Sequence, residues 1–544
     1  MPKFEIFDRS QGFTLADPDI TPITTYVRQN LDGTLTTTED GTDPLVRRLD
    51  PDTGLIVPQR QIYGAIRVIP AVTAKILQLA NGLQLTWPGS PSIVRYTVWV
   101  QRGGRLFYPV AFGTGTSWTD PEVSDGETVR YQVTGVDSSG VSSLIFDLTS
   151  TQQPRTYIDP VIITAPGTYH DLNINNEDPN GQAVRVKAGV QGVNIQNLRL
   201  RTRNDAIVLE AGAAANIQNV VAWARHPLVA NRAKGKFLNA SKPASVIAQH
   251  VSFEGFSIGL YADGQATTVC QKLLWQYWRS RNIDCRQTTS TGYAQVKQLE
   301  GHAFQVNHCF QVKEYDILDG VAIQEYQVGL VNDAGNNYVS SGLSTRKALI
   351  SRNLIDGIWP FDGTADPNTA LGGQSGCAFI TDGDSDGTAA QNGNLEISYN
   401  LAVATSNYGY GIANGNGIEA HHNQGVTSGY LPDGVTVNRA TNGGLYVSSA
   451  YAGTPNSTLS NANVHDNTMM CWNLIGSRNK PPGANNGYIN NNAYDWSQVG
   501  QNGNVQTNNA YDNRAPDVAL ERAAHLAFVQ AQSAASRAAG VTAF

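Results

Sequence analysis

Asn194-Ile195-Gln196-Asn197-Leu198 returns as Asn216-Ile217-Gln218-Asn219-Val220, an offset of 22 residues. Further along, Ile350-Ser351-Arg352-Asn353-Leu354 returns as Ile397-Ser398-Tyr399-Asn400-Leu401 at an offset of 47, which reads as two turns of a similar period. A third echo, Asn491-Asn492-Ala493-Tyr494-Asp495 with Asn508-Asn509-Ala510-Tyr511-Asp512, is offset by 17. Within each unit the apolar positions alternate, which is the period of a strand; a helix would repeat them every three or four residues. Short strands recurring about every 20–25 residues predict a solenoid whose turns stack about 4.8 Å apart, so that like residues align. An inward Asn in each turn then hydrogen-bonds its copies above and below. Unequal offsets mean loops of different length on a constant core.

A chain of 544 residues exceeds the size of one globular core, and a repeat array escapes that ceiling. Charged residues are only 15% and the formal charge is −7, so no basic face is offered to a phosphate backbone and nucleic acid is not an expected partner. Cys270, Cys285, Cys309, Cys377 and Cys471 show neither a disulfide framework nor metal-ligand spacing and read as buried thiols. The opening Met1-Pro2-Lys3-Phe4 lacks a basic and then apolar run, and no stretch is long and apolar enough for membrane insertion. A surface architecture without an export signal suggests release by lysis, as from a phage particle, or a dedicated secretion route.

Four regions emerge. Residues 1–77 are turn-rich (Asp17-Pro18-Asp19, Asp50-Pro51-Asp52) and read as an attachment region, either an extended arm or a small β domain. Residues 78–150 hold short alternating strands: Leu83-Gln84-Leu85-Thr86-Trp87, Tyr96-Thr97-Val98-Trp99-Val100, and Thr128 to Asp137. Early Trp87, central Tyr96 and the late Tyr131-x-Val133-x-Gly135-Val136-Asp137-x-x-Gly140 resemble a fibronectin type III domain, which implies a β-sandwich spacer. Residues 158–513 resemble the right-handed parallel β-helix of phage tail spikes, polysaccharide lyases and bacterial surface proteins. Residues 514–544 read as an Ala-rich helix; it caps the last turn or joins chains. The expected fold is therefore all-β: a right-handed parallel β-helix preceded by a fibronectin type III-like sandwich and an N-terminal arm, with a short C-terminal helix.

Aligning Leu395-Glu396-Ile397-Ser398-Tyr399-Asn400 on Ile418-Glu419-Ala420-His421-His422-Asn423 superposes Glu396 on Glu419. Both then point outward from successive turns with carboxylates about 5 Å apart, near the spacing of a retaining glycosidase's nucleophile and acid. Mutual repulsion should raise one of the two pKa values. The plainer reading is two glutamates on a solvated face.

Asp382-Gly383-Asp384-Ser385-Asp386-Gly387 begins like a calcium loop, making Asp382, Asp384 and Asp386 candidate metal ligands, but Gly393 stands where a bidentate Glu belongs. A surface turn is the simpler account; no cofactor is required, and Ca2+ is the one ion the pattern admits. Glu300-Gly301-His302, His308 and His421-His422 are acid/base candidates, although scattered histidines in such a fold are more often surface or ladder residues. Trp275, Tyr277, Trp278, Trp359, Phe361, Tyr408, Tyr410, Tyr430, Tyr446, Tyr451 and Trp496 offer flat faces for sugars, with 401–460 as the expected glycan-contacting surface.

The layout resembles a tail-spike-like or fibre-like protein of a phage virion. That implies a host cell-surface polysaccharide as partner, other virion proteins met through residues 1–77, and a homotrimer. Whether it cuts the glycan, as a depolymerase, glycosidase or lyase, is open. A non-catalytic structural or adhesive protein, such as a virion head fibre or a bacterial surface adhesin, is the alternative, and a free extracellular lyase or hydrolase a third.

Overall fold

A computed structural model describes four short strands before residue 60, then 74–79, 82–102, 108–138, 142–225, 232–265, 270–289, 292–296, 301–359, 376–383, 392–441, 443–448, 459–472, 494–511 and most of 517–528. The chain divides into two units, residues 1–155 with 529–544, and residues 156–528.

In the first unit, strands Leu35–Thr38, Tyr26–Gln29, Val46–Leu49 and Ile56–Pro58 form an antiparallel sheet in that order, so the turn-rich start includes a small β module. A separate sandwich follows. Lys75–Leu79, Gly82–Thr86 and Ser117–Asp120 make one sheet; Ser142–Thr151, Thr128–Asp137, Ile93–Arg102 and Tyr108–Gly113 make the other. Leu83, Leu85, Trp87, Tyr96, Val98, Val100, Val129, Tyr131 and Val133 fill its interior, as alternation over two inner faces requires. The buried Arg102 guanidinium donates to Asp120 (2.6 Å) and Glu127 (2.9 Å), and the Tyr131 hydroxyl donates to Asp120 (2.6 Å), so the interior charges are paired.

The second unit is a right-handed parallel β-helix, the hand that parallel crossovers adopt. An eleven-stranded parallel sheet runs from Val161–Ile163 to Tyr494–Asp495, and a twenty-stranded sheet folds sharply along its length into two limbs. Each coil therefore contributes three strands, for example Ile207–Leu209, Ala214–Gln218 and Val221–Ala224. The fold between the limbs is made by one residue per coil in the left-handed region: Asp171, Asn197, Asn219, His250, Tyr277, Asp319, Arg352, Tyr399, His422, Asp466 and Asn508, with φ between 53° and 57°. One left-handed residue turns the chain through the corner and restores the in/out alternation beyond it.

The residue after each corner points inward, and its chemistry changes along the rod. Leu198, Val220, Val251 and Trp278 are buried and apolar. Gly320 comes next, where a Cβ would stand 1.8 Å from Trp278 Cε2, so the indole occupies the space of two coils. Above it, Asn353, Asn400, Asn423 and Asn467 are buried and continue to Asn509. Each Asn donates both its backbone N–H and its Nδ2–H to Oδ1 of the Asn one coil on, at 2.9–3.1 Å. Each Nδ2 also donates to a carbonyl of the preceding coil, as Asn423 does to Ile397. The ladder thus satisfies every polar atom it buries.

Three expectations need correction. Ala348–Ser351 pairs directly with Leu395–Ser398, so the offset of 47 is one coil carrying long insertions and not two turns. Tyr494–Asp495 pairs in the eleven-stranded sheet and Ala510–Tyr511 in the twenty-stranded one, so the offset of 17 is not a stacked repeat. The repeated Asn197 and Asn219 stand at the outward corner; the inward Asn column begins only at Asn353. By contrast, Asn194 pairs with Asn216 and Ile195 with Ile217, so the offset of 22 is a true coil.

Residues 518–521 and 523–525 are helical and lie along the flank. The Ser428 N–H donates to the buried Glu521 carboxyl, which burial pushes up to about 8, and His525 Nδ1 bonds Asp356 (2.8 Å). All five cysteines are buried and none forms a disulfide. Among the described residues no helix is long and apolar enough to cross a membrane.

Replacing Asn423 by Ala removes two acceptor contacts and two donor contacts inside the ladder and strands the Asn400 N–H. Asn423→Ala should destabilise the β-helix by about 3–5 kcal/mol. Denaturant unfolding followed by circular dichroism checks this, and a midpoint within error of wild type would contradict the ladder's role.

Candidate functional site

The corner residues Tyr399, His422 and Asp466 fix what precedes them. Three positions before a corner the side chain faces outward, and there stand Glu396 and Glu419; one position before, also outward, stand Ser398, His421 and His465. The strands pair so that Glu396 lies opposite Glu419, Ser398 opposite His421, and His421 opposite His465. The sequence alignment therefore placed both glutamates correctly on neighbouring coils. It did not reveal what surrounds them.

Glu419 is clamped from two sides. Lys347 Nζ, reaching up from two coils below, donates to Oε2 at 2.6 Å, and His465 Nε2 lies 3.2 Å from Oε1. The other nitrogen of His465 meets Asp466 Oδ2 at 2.7 Å. Glu396 has different neighbours: Ser398 Oγ donates to Oε1 (3.1 Å), and His421 Nε2 lies 3.3 Å from the same oxygen. His421 Nδ1 in turn meets His422 Nδ1 at 2.8 Å. The imidazoles of His421 and His465 stack almost parallel, 5° apart with centroids at 5.0 Å. His422 stacks on the exposed ring of Tyr399 at 4.8 Å.

These contacts decide charge. Lys347 holds the Glu419 carboxyl below the usual carboxylate range, with His465 adding to the effect against some burial. At Glu419 the shift is thus downward, opposite to the one that repulsion between paired glutamates produces. Burial works against a charged His465, yet Asp466 and Glu419 together carry it above the ordinary imidazole value, and His465 holds Asp466 below its own. With a carboxylate at each nitrogen, His465 has a partner for both ring N–H groups, an arrangement that favours its protonated form.

Other candidates fare differently. His302 is buried and bonds the Asp333 carbonyl through Nδ1 (2.6 Å), a structural role, while His308 sits 3.8 Å from Asp263. Glu300 lies outside the described residues. Asp382 accepts from Asn336 Nδ2 (3.1 Å) and from the Gly383 N–H (2.9 Å); Asp384 and Asp386 lie outside the described residues. Among the described residues no group of three or more His, Cys, Asp or Glu side chains is arranged to hold a metal ion.

Most of the aromatic residues expected to meet sugar are core instead. Trp275, Trp278 and Tyr410 are fully buried, Trp359 and Tyr408 nearly so, and Tyr446 packs at 4.5 Å on Tyr408. Leu401–Thr405 and Tyr408–Ile412 are buried throughout, so much of 401–460 faces inward. The interior of a β-helix takes aromatic stacks as readily as aliphatic ones, and composition alone does not separate the two. Phe361 and Tyr451 lie outside the described residues. The residues that sequence reasoning missed are Lys347, His465 and Asp466. Asn463-Val464-His465-Asp466-Asn467 carries the same corner pattern as Glu419-Ala420-His421-His422-Asn423 and was the available signal.

No protein-family model matches the chain, and no curated protein matches it in sequence. Some solved structures are similar. A β-1,2-glucanase from Parabacteroides distasonis is 18% identical over 25% of this chain and 26% of that one, so the likeness spans about a quarter of it, at a TM-score of 0.14. The pectate lyase PelI from Erwinia chrysanthemi, in complex with tetragalacturonic acid, is 12% identical over 53% of this chain and 84% of that one (TM-score 0.20). A family 28 exopolygalacturonase from Yersinia enterocolitica is 10% identical over 82% and 96% (TM-score 0.23). At such TM-scores these similarities carry no argument about this chain, whose fold rests on its own strand pairing.

His465 yields a pH signature. A histidine whose folded pKa is raised contributes stability that is complete below its unfolded value of about 6.5 and is lost as pH rises through the folded value. Glu419 and Asp466, lowered in the fold, contribute above about pH 4.5 and lose it as pH falls through their folded values. The melting-temperature gap between wild type and His465→Gln should therefore be widest near about pH 6 and narrow by about pH 9. Calorimetry at both values checks it; equal gaps would refute the bridging imidazolium.

Proposed function

We propose that this chain is a tail-spike-like protein of a virion surface that binds host cell-surface polysaccharide on the outer wall of its β-helix and cuts it at Glu396 and Glu419. The observation that carries the reading is the in-register pair of outward carboxylates, one held ionised by Lys347 and the other served by an imidazole. Side chains on neighbouring coils start about 4.8 Å apart, close to the roughly 5–5.5 Å between the two carboxyls of a retaining glycosidase. Glu419, kept as carboxylate, is the nucleophile that attacks the anomeric carbon. Glu396 is the acid that gives its proton to the leaving glycosidic oxygen, and then the base that activates water.

The other regions fit the same reading. Residues 1–77 would attach to further virion proteins, the sandwich of residues 78–150 would serve as a fibronectin type III-like spacer, and three chains would associate as a homotrimer. A rigid shaft with a wall of aligned polar side chains suits a long polymer, because successive sugars meet successive coils.

The test is incubation with host capsule or lipopolysaccharide. New reducing ends with retained anomeric configuration are expected, whereas unsaturated sugars would indicate a lyase and binding alone an adhesin. Glu396→Gln and Glu419→Gln should each lower turnover on the order of a hundredfold or more, and together abolish it, with binding preserved. Unchanged turnover in the double variant removes the site.

A further inference from the structure

Among the described residues, Tyr399 is the one Tyr, Trp or Phe that is exposed, at 51%. It stands there against the preference of its backbone. At φ 56° a bulky side chain is strained, and Asn makes the same bend at less cost at Asn197, Asn219 and Asn508. Nor does the stack demand the exposure. At the earlier corner Tyr277 the ring lies on His250 at the same 4.8 Å and is half-buried. Tyr399 is held by His422 on one face, with His421 edge-on at 5.6 Å, and the remainder of the ring meets solvent.

We propose that the exposed ring of Tyr399 is a stacking platform for a neutral sugar, the one on the leaving side of the bond cut at Glu396 and Glu419. This rests on the reading of that pair as the cleavage site. Position supports it first. Glu396 Oε1 lies 3.3 Å from His421 Nε2, and the His421 ring lies 5.6 Å from that of Tyr399, so one imidazole separates the acid from the platform. The acid protonates the leaving oxygen, so the sugar beyond that oxygen lies toward the coil of Glu396. That coil carries Tyr399, and the next one carries Glu419. A sugar ring presents a face of C–H groups, which packs on a flat aromatic ring while its hydroxyls stay in water.

Charge selects the class of sugar. The cations of the coil below Glu396 are each held by a carboxylate of this chain: Lys347 by Glu419 (2.6 Å), Arg346 by Asp316 (2.8 Å) and Arg352 by Asp319 (2.7 Å). Glu396, Glu419 and Asp466 add carboxylates along the same wall. An anionic sugar such as a uronic acid would be repelled by these groups and would have to break an ion pair to gain a cation. A neutral sugar meets neither cost.

The experiment is titration calorimetry of host capsule or lipopolysaccharide with the full chain carrying Glu396→Gln and Glu419→Gln, so that no cleavage intervenes. Adding Tyr399→Asn, which suits the left-handed backbone and has no ring, should weaken binding about tenfold. Adding Tyr399→Phe, which keeps the ring, should leave affinity within about twofold of the parent. Tyr399→Gly, unstrained at positive φ, repeats the measurement if circular dichroism shows that the Asn variant has not folded. Reducing the glycan's carboxyl groups with carbodiimide and borohydride should not change the affinity. Equal binding with and without the ring overturns the platform alone, and binding lost on carboxyl reduction overturns its neutral ligand. Ring-dependent binding by a chain that keeps both glutamates yet cuts nothing instead overturns the reading of the pair as catalytic. No binding at all overturns both.

Discussion

Everything on the outer wall of this β-helix is placed by one backbone constraint, the single left-handed residue at which each coil bends from one limb of the long sheet to the other. For a residue with a Cβ that conformation costs about 1–2 kcal/mol, least for Asn and Asp. The first three corners, Asp171, Asn197 and Asn219, obey that preference and hydrogen-bond in a column. Several later corners do not: His250 stacks on Tyr277, Arg352 grips Asp319 with two hydrogen bonds of 2.7 Å, and Tyr399 stacks on His422. Contacts between coils offset the local strain, so the corner is a property of the stack and not of the residue.

Inside the corner the same stacking rule acts on a column that changes character. Leu and Val fill it in the early coils, Trp278 over Gly320 closes that part, and asparagine takes over to the end of the ladder. A buried amide is costly unless satisfied, and here each one is satisfied only because an identical amide sits one coil away. The ladder is therefore strict about register. A slip of one residue would break several buried bonds at once, which is why the outward side chains three and one positions before the corner can be held in line over successive coils.

That line is where chemistry becomes conceivable. Two glutamates brought together by stacking alone would be a repelling pair on a solvated face. Lys347 and the Asp466–His465 couple make their surroundings unequal, one carboxyl bonded to an ammonium and an imidazole and the other in contact with a serine and a different histidine. Unequal surroundings of two neighbouring carboxyls are what the proposed acid–nucleophile pair rests on.

Much of this could be read from the chain. Alternating apolar residues, Asn-bearing units and an offset of 22 determined a stacked parallel β-helix after a β-sandwich, and the match of Glu396 with Glu419 determined that both face out from neighbouring coils, because strand periodicity is a local property. Only the tertiary structure decided the rest. The offset of 47 is one coil because insertions lengthen a turn without adding one. Trp275, Trp278 and Tyr410 are core because inside and outside are set by the corner and not by residue type. Lys347, His465 and Asp466 complete the site because stacking brings together residues 46 to 72 positions apart, a proximity that no local pattern encodes.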